Sequence, residues 1–239
     1  MQPVSAVGGD EVWGDDQQRR QLSKVPALAR VVEHAAVLGN PDSWERAAPQ
    51  TDLLLAMIDA VWSIGVRAGG VANVIARYVE LRGDSQHTCA EFVTWVEELG
   101  GPEAFADAVR NRQRTSTANG ILKAEAVYLQ AAMLASEGVV DVSGLTDAVR
   151  ERWVLVPGSK SGTSWDALLL VMGEDTVKAD RMIRRFCAAA LGTTESRVSA
   201  KRAHELVVAA AAELRVSARA LDGAIWAHES ARRPGEPRQ

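Results

Sequence analysis

Asp180 closes the run VPGSKSGTSWDALLLVMGEDTVKAD, Val156 to Asp180, whose residue types suit both an anion path and a working carboxylate. Pro157 and Gly158 stop the helix before them, and Ser159 to Gly162 are small enough for a close backbone turn. Thr163 to Met172 is apolar and reads as a helix that ends at Gly173. A bare turn that opens a helix presents unpaired N–H groups and the positive end of the helix dipole, which suits a phosphate oxygen. Gly158, Ser159, Lys160, Ser161, Gly162 and Thr163 are therefore candidate anion contacts. Lys160, Lys178, Arg181 and Arg184 are close enough in sequence to surround the same path with positive charge, positioning a polyanion without reading its sequence. Each of these has a plainer reading: an aspartate before an apolar-periodic helix is by default an N-cap, and arginines opposite an apolar stripe are by default a solvated face.

Other chemistry is sparse. Cys89 and Cys187 are the two cysteines of the chain, far apart and outside any C-x-x-C spacing, so neither a disulfide framework nor a cysteine-rich metal centre can be built from them. His34, His87, His204 and His228 share no metal-ligand spacing. Net charge is −4, which argues against a nonspecific nucleic-acid coat, but the charge is unevenly distributed. Arg150 to Arg202 holds ten basic and six acidic residues, a local +4 that leaves −8 elsewhere.

The elements that position these residues read as helices throughout. Over 239 residues, 47% hydrophobic content supplies a core for one large domain or two small lobes. Leu54, Met57, Ile58, Val61 and Trp62 recur at three- and four-residue steps over 52–64, and the glycine-rich stretch Gly65 to Gly70 interrupts that helix. Leu122, Ala126, Leu129 and Met133 predict a second core face, and Met182, Ile183, Phe186, Cys187 and Ala190 a third. No alternating run is long enough for a sheet, and Val139 to Val142 is at most an extended link. The fold class is all-α, a bundle of two lobes with a cleft. Residues 1–22 and 233–239 read as tails flanking a helical domain over 23–232, with the hairpin at about 145–173. The start lacks a basic region followed by an apolar run, and no stretch reaches membrane-spanning length, so a cytoplasmic setting without membrane contact is expected.

The hairpin segment resembles the helix-hairpin-helix DNA glycosylase superfamily, the relatives of endonuclease III, whose hairpin is written L-P-G-V-G-x-K-T-A and leads to V-D at a later helix start. Val156, Pro157, Gly158 and Thr163 fall on matching positions, and Asp180 reaches the place of the family's catalytic aspartate without a gap. Leu122-Lys123-Ala124-Glu125 resembles the S-K-A-E before the hairpin, and Leu54 to Ala76 resembles the early helix, loop and helix. The resemblance implies duplex DNA as partner, with nucleoid association, and a base extruded from the stack. It implies hydrolysis of the N-glycosidic bond, with Asp180 stabilising the charge that builds on the sugar. It also implies a monovalent cation at the hairpin carbonyls, a base pocket or wedge to which Trp62 and Trp165 are candidates, and a gap-filling role for Arg67 in the loop after Trp62. A tryptophan inside an apolar helical run is more often core.

Departures from the pattern shape the expectation. Gly162 occupies the place of the lysine that attacks the sugar in bifunctional members, so Schiff-base chemistry is not expected; Lys160 stands where the family usually has glycine. No cysteine follows Cys187, so no iron–sulfur cluster is expected, and hydrolysis needs no cofactor. A monofunctional glycosylase is one reading. A catalytically silent helix-hairpin-helix module that binds DNA or a protein is the other, and an ordinary helical interaction protein a third.

Overall fold

The structure, a computed structural model, describes residues 27–44, 48–65, 68–118 and 120–231, and the expected tails and Arg67 lie outside the described residues. Among the described residues the fold is all-α. The helices are α1 (Ala27–His34), α2 (Leu53–Trp62), α3 (Ala68–Arg82), α4 (Cys89–Leu99), α5 (Pro102–Ala108), α6 (Lys123–Ser136), α7 (Asp147–Trp153), α8 (Thr163–Met172), α9 (Arg181–Ala190), α10 (Ala200–Leu214) and α11 (Ala218–Ala231). A lone antiparallel bridge pairs Arg114 with Leu122. No helix among the described residues is long and apolar enough to cross a membrane.

Capping fixes most helix starts. Asp52 accepts from the Leu55 N–H, Thr146 from that of Val149 and Ser199 from that of Arg202. Thr88 and Glu91 form a reciprocal capping box, contributing about 1 kcal/mol for the N-cap alone. The break after α2 is shorter than the glycine content predicts, because Gly69 and Gly70 fall in the first turn of α3, where few intrahelical bonds are at stake.

Apolar burial divides into two clusters. The first draws on α2 through α8, from Leu53 to Met172, with Trp62, Tyr78, Phe92, Phe105 and Trp153 sealed inside. The second combines Val31 and Ala35 near the start with Val177 to Ile225, so α1 returns to pack on α9 and α10. The apolar set read for α2 is buried throughout. Of the face read for α6, Leu122 and Ala126 are buried and Met133 packs against the first cluster, but Leu129 needs correcting: it is 37% exposed, and the buried side adds Lys123, Ala124, Val127, Gln130, Ala131 and Leu134. Two polar residues carry hydrogen bonds inward on that side, which hydrophobic periodicity alone does not register.

Candidate functional site

Between α7 and α8 the chain makes two consecutive turns. Ser159 N–H donates to Val156 O and Gly162 N–H to Ser159 O, each at 2.9 Å. Gly162 is the α8 N-cap at φ +75° and offers no side chain; its carbonyl accepts from Asp166 N–H at 2.9 Å. Gly158, at φ +93°, lies so close to the preceding loop that a Cβ would stand 2.2 Å from Thr115 Cβ. Gly158→Ala should therefore destabilise the fold by roughly 1–3 kcal/mol through left-handed strain and this clash, measurable by urea unfolding. A loss under a few tenths of a kcal/mol would mean that the two loops do not meet.

The turn divides its candidate contacts. Lys160 and Ser161 are exposed, as are Pro157 and Gly158. Ser159 is 3% exposed and accepts from Gln130 Nε2 at 2.9 Å, while Ser164 accepts from Trp153 Nε1 at 3.0 Å. Thr163 is half-buried, its hydroxyl 3.0 Å from that of Ser161. Gly162 is buried, with a would-be Cβ 2.8 Å from an Arg150 guanidinium nitrogen. Lys160 and Ser161 are thus the side chains of the turn that face solvent, and Ser159 and Gly162 are turned inward.

Asp180 sits where the chain enters α9. Its Oδ1 accepts from Met182 N–H at 2.7 Å and from Ile183 N–H at 3.4 Å, so the default capping role is present. Its side chain keeps 22% exposure, and Oδ2 lies 3.9 Å from Lys178 Nζ. Lys178, 14% exposed, donates to Ser63 Oγ at 2.8 Å at the C-terminal end of α2. One lysine therefore ties the end of a first-cluster helix to the segment leading into the second cluster. The positive charge also offsets the upward push of burial on the Asp59 carboxyl.

Two buried ionisable residues flank this junction, and sequence reading did not select either as a site residue. Lys123, 2% exposed, donates to Trp62 O at 3.0 Å, Ile64 O at 2.7 Å and Gln113 Oε1 at 3.4 Å. It thereby caps the carbonyl end of α2, where a cation also meets the helix dipole favourably. Burial, helped by the charge of Lys178, lowers its ammonium to about 8. Asp222 on α11, 5% exposed, accepts from the Lys178 N–H at 2.9 Å. Burial pushes its carboxyl up to about 7; the Lys178 N–H bond opposes that shift, and the charges of Asp180 and Asp166 reinforce it. A signal for Asp222 was present, since it adjoins Leu221 on the stripe Ala218, Leu221, Ile225, where a carboxylate is out of place.

The remaining candidates are dispersed. Arg181 is 75% exposed, 3.5 Å from Glu195, whereas Arg184 donates to Val198 O at 2.8 Å and Glu195 O at 3.1 Å, stapling the turn before α10. Trp62 is 0% exposed, edge-on to Phe105, and Trp165 is 2% exposed against Trp153. Both are core residues, with no face left for a base pocket or a wedge; an indole within an apolar run packs inward because that buries the most apolar surface. Beside the glycine turn before α8, Val61, Ile64, Thr115, Lys123, Gly158, Ser159 and Ser164 line a void of about 10 Å³, close to the minimum for one water molecule. Among the described residues no group of histidine, cysteine, aspartate or glutamate is placed to hold a metal ion.

A half-exposed carboxylate at a helix start, a lysine beside it and a glycine turn opening a neighbouring helix define an all-α protein with a polar junction between two apolar clusters. The family model described as "Domain of unknown function (DUF8548)" matches residues 28–230, and the chain belongs to that family. No curated protein and no solved structure matches the chain.

Proposed function

We propose that the chain is a divergent helix-hairpin-helix DNA glycosylase, with the two apolar clusters as its lobes, α7, the glycine turn and α8 as its hairpin motif, and the cleft at the Lys178–Asp180 junction. In this reading it binds duplex DNA and hydrolyses the N-glycosidic bond of an extruded, altered base. The observation that carries the reading is Asp180: its Oδ1 is fixed by the α9 amides, while the side chain keeps 22% exposure and its Oδ2 lies 3.9 Å from Lys178 Nζ. A carboxylate so fixed can stabilise positive charge on the sugar as the C–N bond breaks and orient the attacking water. Lys160 and Ser161, exposed on the turn that opens α8, would take a strand phosphate. A monovalent cation at the turn carbonyls belongs to the same proposal. The alternative is a catalytically silent module of this fold that binds DNA or a protein. It is favoured by the inward turn of Ser159, which removes one side chain of the turn from any strand passing outside.

Base release from duplexes carrying deaminated, alkylated or oxidised bases separates the two. Asparagine caps a helix as well as aspartate does, so Asp180→Asn should leave stability within about 0.5 kcal/mol while lowering release on the order of 100-fold. Retained DNA binding with no Asp180-dependent release from any lesion would leave the silent module standing.

A further inference from the structure

The loop joining α5 to α6 contains Arg110, Arg112 and Arg114 and no acidic residue from Val109 to Leu122. The three arginines differ in their surroundings. Arg112 is neutralised by Asp107 at 2.5 Å and Glu103 at 3.0 Å. Arg110 adopts the left-handed region at φ +50°, at the start of the loop. Arg114 is exposed and donates to a backbone carbonyl, Gly120 O at 2.8 Å, and among the described residues no carboxylate pairs with it. The turn that follows is closed at its base: Thr115 N–H donates to Ile121 O at 2.9 Å and Lys123 N–H to Gln113 O at 2.8 Å. Its tip, Ser116 to Ala118, is exposed.

This turn abuts the glycine turn before α8 through the Thr115–Gly158 approach. The void beneath them is lined by both turns, and the buried Thr115 hydroxyl has no protein partner. One bridging water would satisfy it and lock the turns together. The hairpin stretch from Val154 to Thr163 is likewise free of acidic residues. Two exposed cations, Arg114 and Lys160, thus stand on adjoining turns that contribute no carboxylate. A turn with one lysine binds an anion weakly, whereas two pre-organised turns can hold successive phosphates with little further ordering cost.

We infer that the turn Arg114–Ala118 and the turn Pro157–Ser161 form one composite surface for the phosphodiester backbone of DNA. The inference rests on the DNA-binding part of the reading above and is independent of catalysis. It adds a contact segment that begins 43 residues before the turn that opens α8, as counted from Arg114 to Pro157.

The test titrates the full chain into a fluorescein-labelled duplex of about 20 base pairs, followed by anisotropy at several salt concentrations. Arg114→Gln and Lys160→Gln should each weaken binding roughly 3- to 10-fold and each lower the slope of log K against log salt by about 1. Arg112→Gln, whose charge is already paired, should change both far less. Thr117→Glu adds a negative charge at the exposed tip without touching the Arg114–Gly120 bond, so a weakened complex there supports the surface even if Arg114→Gln folds poorly. Lys160-dependent binding with Arg114→Gln and Thr117→Glu both unaffected would overturn the composite surface while sparing the hairpin. No binding of the native chain to DNA would overturn the inference and the DNA reading together, whereas binding that weakens in Arg114→Gln and Thr117→Glu without any base release would sustain the inference and overturn the catalytic reading.

Discussion

At pH 8, Asp222→Asn is expected to be more stable than the native chain by roughly 2–4 kcal/mol, and the difference should close by about pH 4. The sign follows from the two states of the carboxyl. Unfolded, it releases its proton near 3.8; folded, burial holds the proton to about 7. Between those values the folded chain binds more protons than the unfolded one, so the native protein loses stability as pH rises through this window, and the loss is complete above it. The gap of roughly three pH units is worth about 4 kcal/mol, an upper bound on what the amide recovers. Asparagine keeps an oxygen to accept the Lys178 N–H and removes the charge that Asp180 and Asp166 oppose. Urea unfolding at pH 4, 6 and 8 reads the effect directly. A difference between variant and native that stays constant across pH would mean that Asp222 ionises in the fold as easily as in the unfolded chain. In functional terms, ionisation of Asp222 would add a buried negative charge next to the Lys178–Asp180 junction.

Asp52→Ala should cost about 3–5 kcal/mol, a large part of a typical domain's stability. Asp52 Oδ2 meets Arg82 NH1 at 2.6 Å with side chains 6% and 9% exposed, and its Oδ1 caps α2 through Leu55 N–H at 3.0 Å. Truncation removes the cap and strands a guanidinium in the first apolar cluster, where its Nε already lacks a partner. Arg82 also lies over the Tyr78 ring at 5.4 Å, and burial pushes the Tyr78 hydroxyl upward, so a phenolate will not form there to replace the lost charge. Removing the stranded charge as well, in Asp52→Ala with Arg82→Met, should recover a substantial fraction of the loss. If the single variant unfolds within 1 kcal/mol of the native protein in urea, the pair is not the anchor of α2. That anchor bears on the junction, because α2 delivers the Trp62 and Ile64 carbonyls to Lys123 and the Ser63 hydroxyl to Lys178.

How much of this was legible depended on whether local chemistry or long-range packing decided the outcome. Thr163–Met172 was readable to its ends because a glycine stands at each, Gly162 at φ +75° and Gly173 at φ +100°, and no tertiary contact was needed to place them. Asp180 as the start of α9 was readable for the same reason, an aspartate directly before an apolar-periodic run. Leu129 was misassigned because periodicity counts carbon, while α6 turns inward a lysine and a glutamine whose partners lie 61 and 29 residues away. Asp222 showed locally only as a carboxylate beside the stripe Ala218, Leu221, Ile225, while the partner that gives it a role is 44 residues distant. The Arg114 turn escaped notice because its meaning comes from touching Gly158, a contact that no local pattern encodes.

The second apolar cluster is split in sequence: Val31 and Ala35 wait on partners that begin at Val177 and run to Ile225. As the chain leaves the ribosome, the helices from Leu53 to Met172 can assemble first, while the opening helix must ride along with its apolar side bare. Closing so long a loop adds only a modest entropic toll over a short one, yet it puts the docking of α1 after the synthesis of α9 and α10. Nascent chains stalled before Arg181 should thus carry a finished front half and an α1 that proteases can still reach.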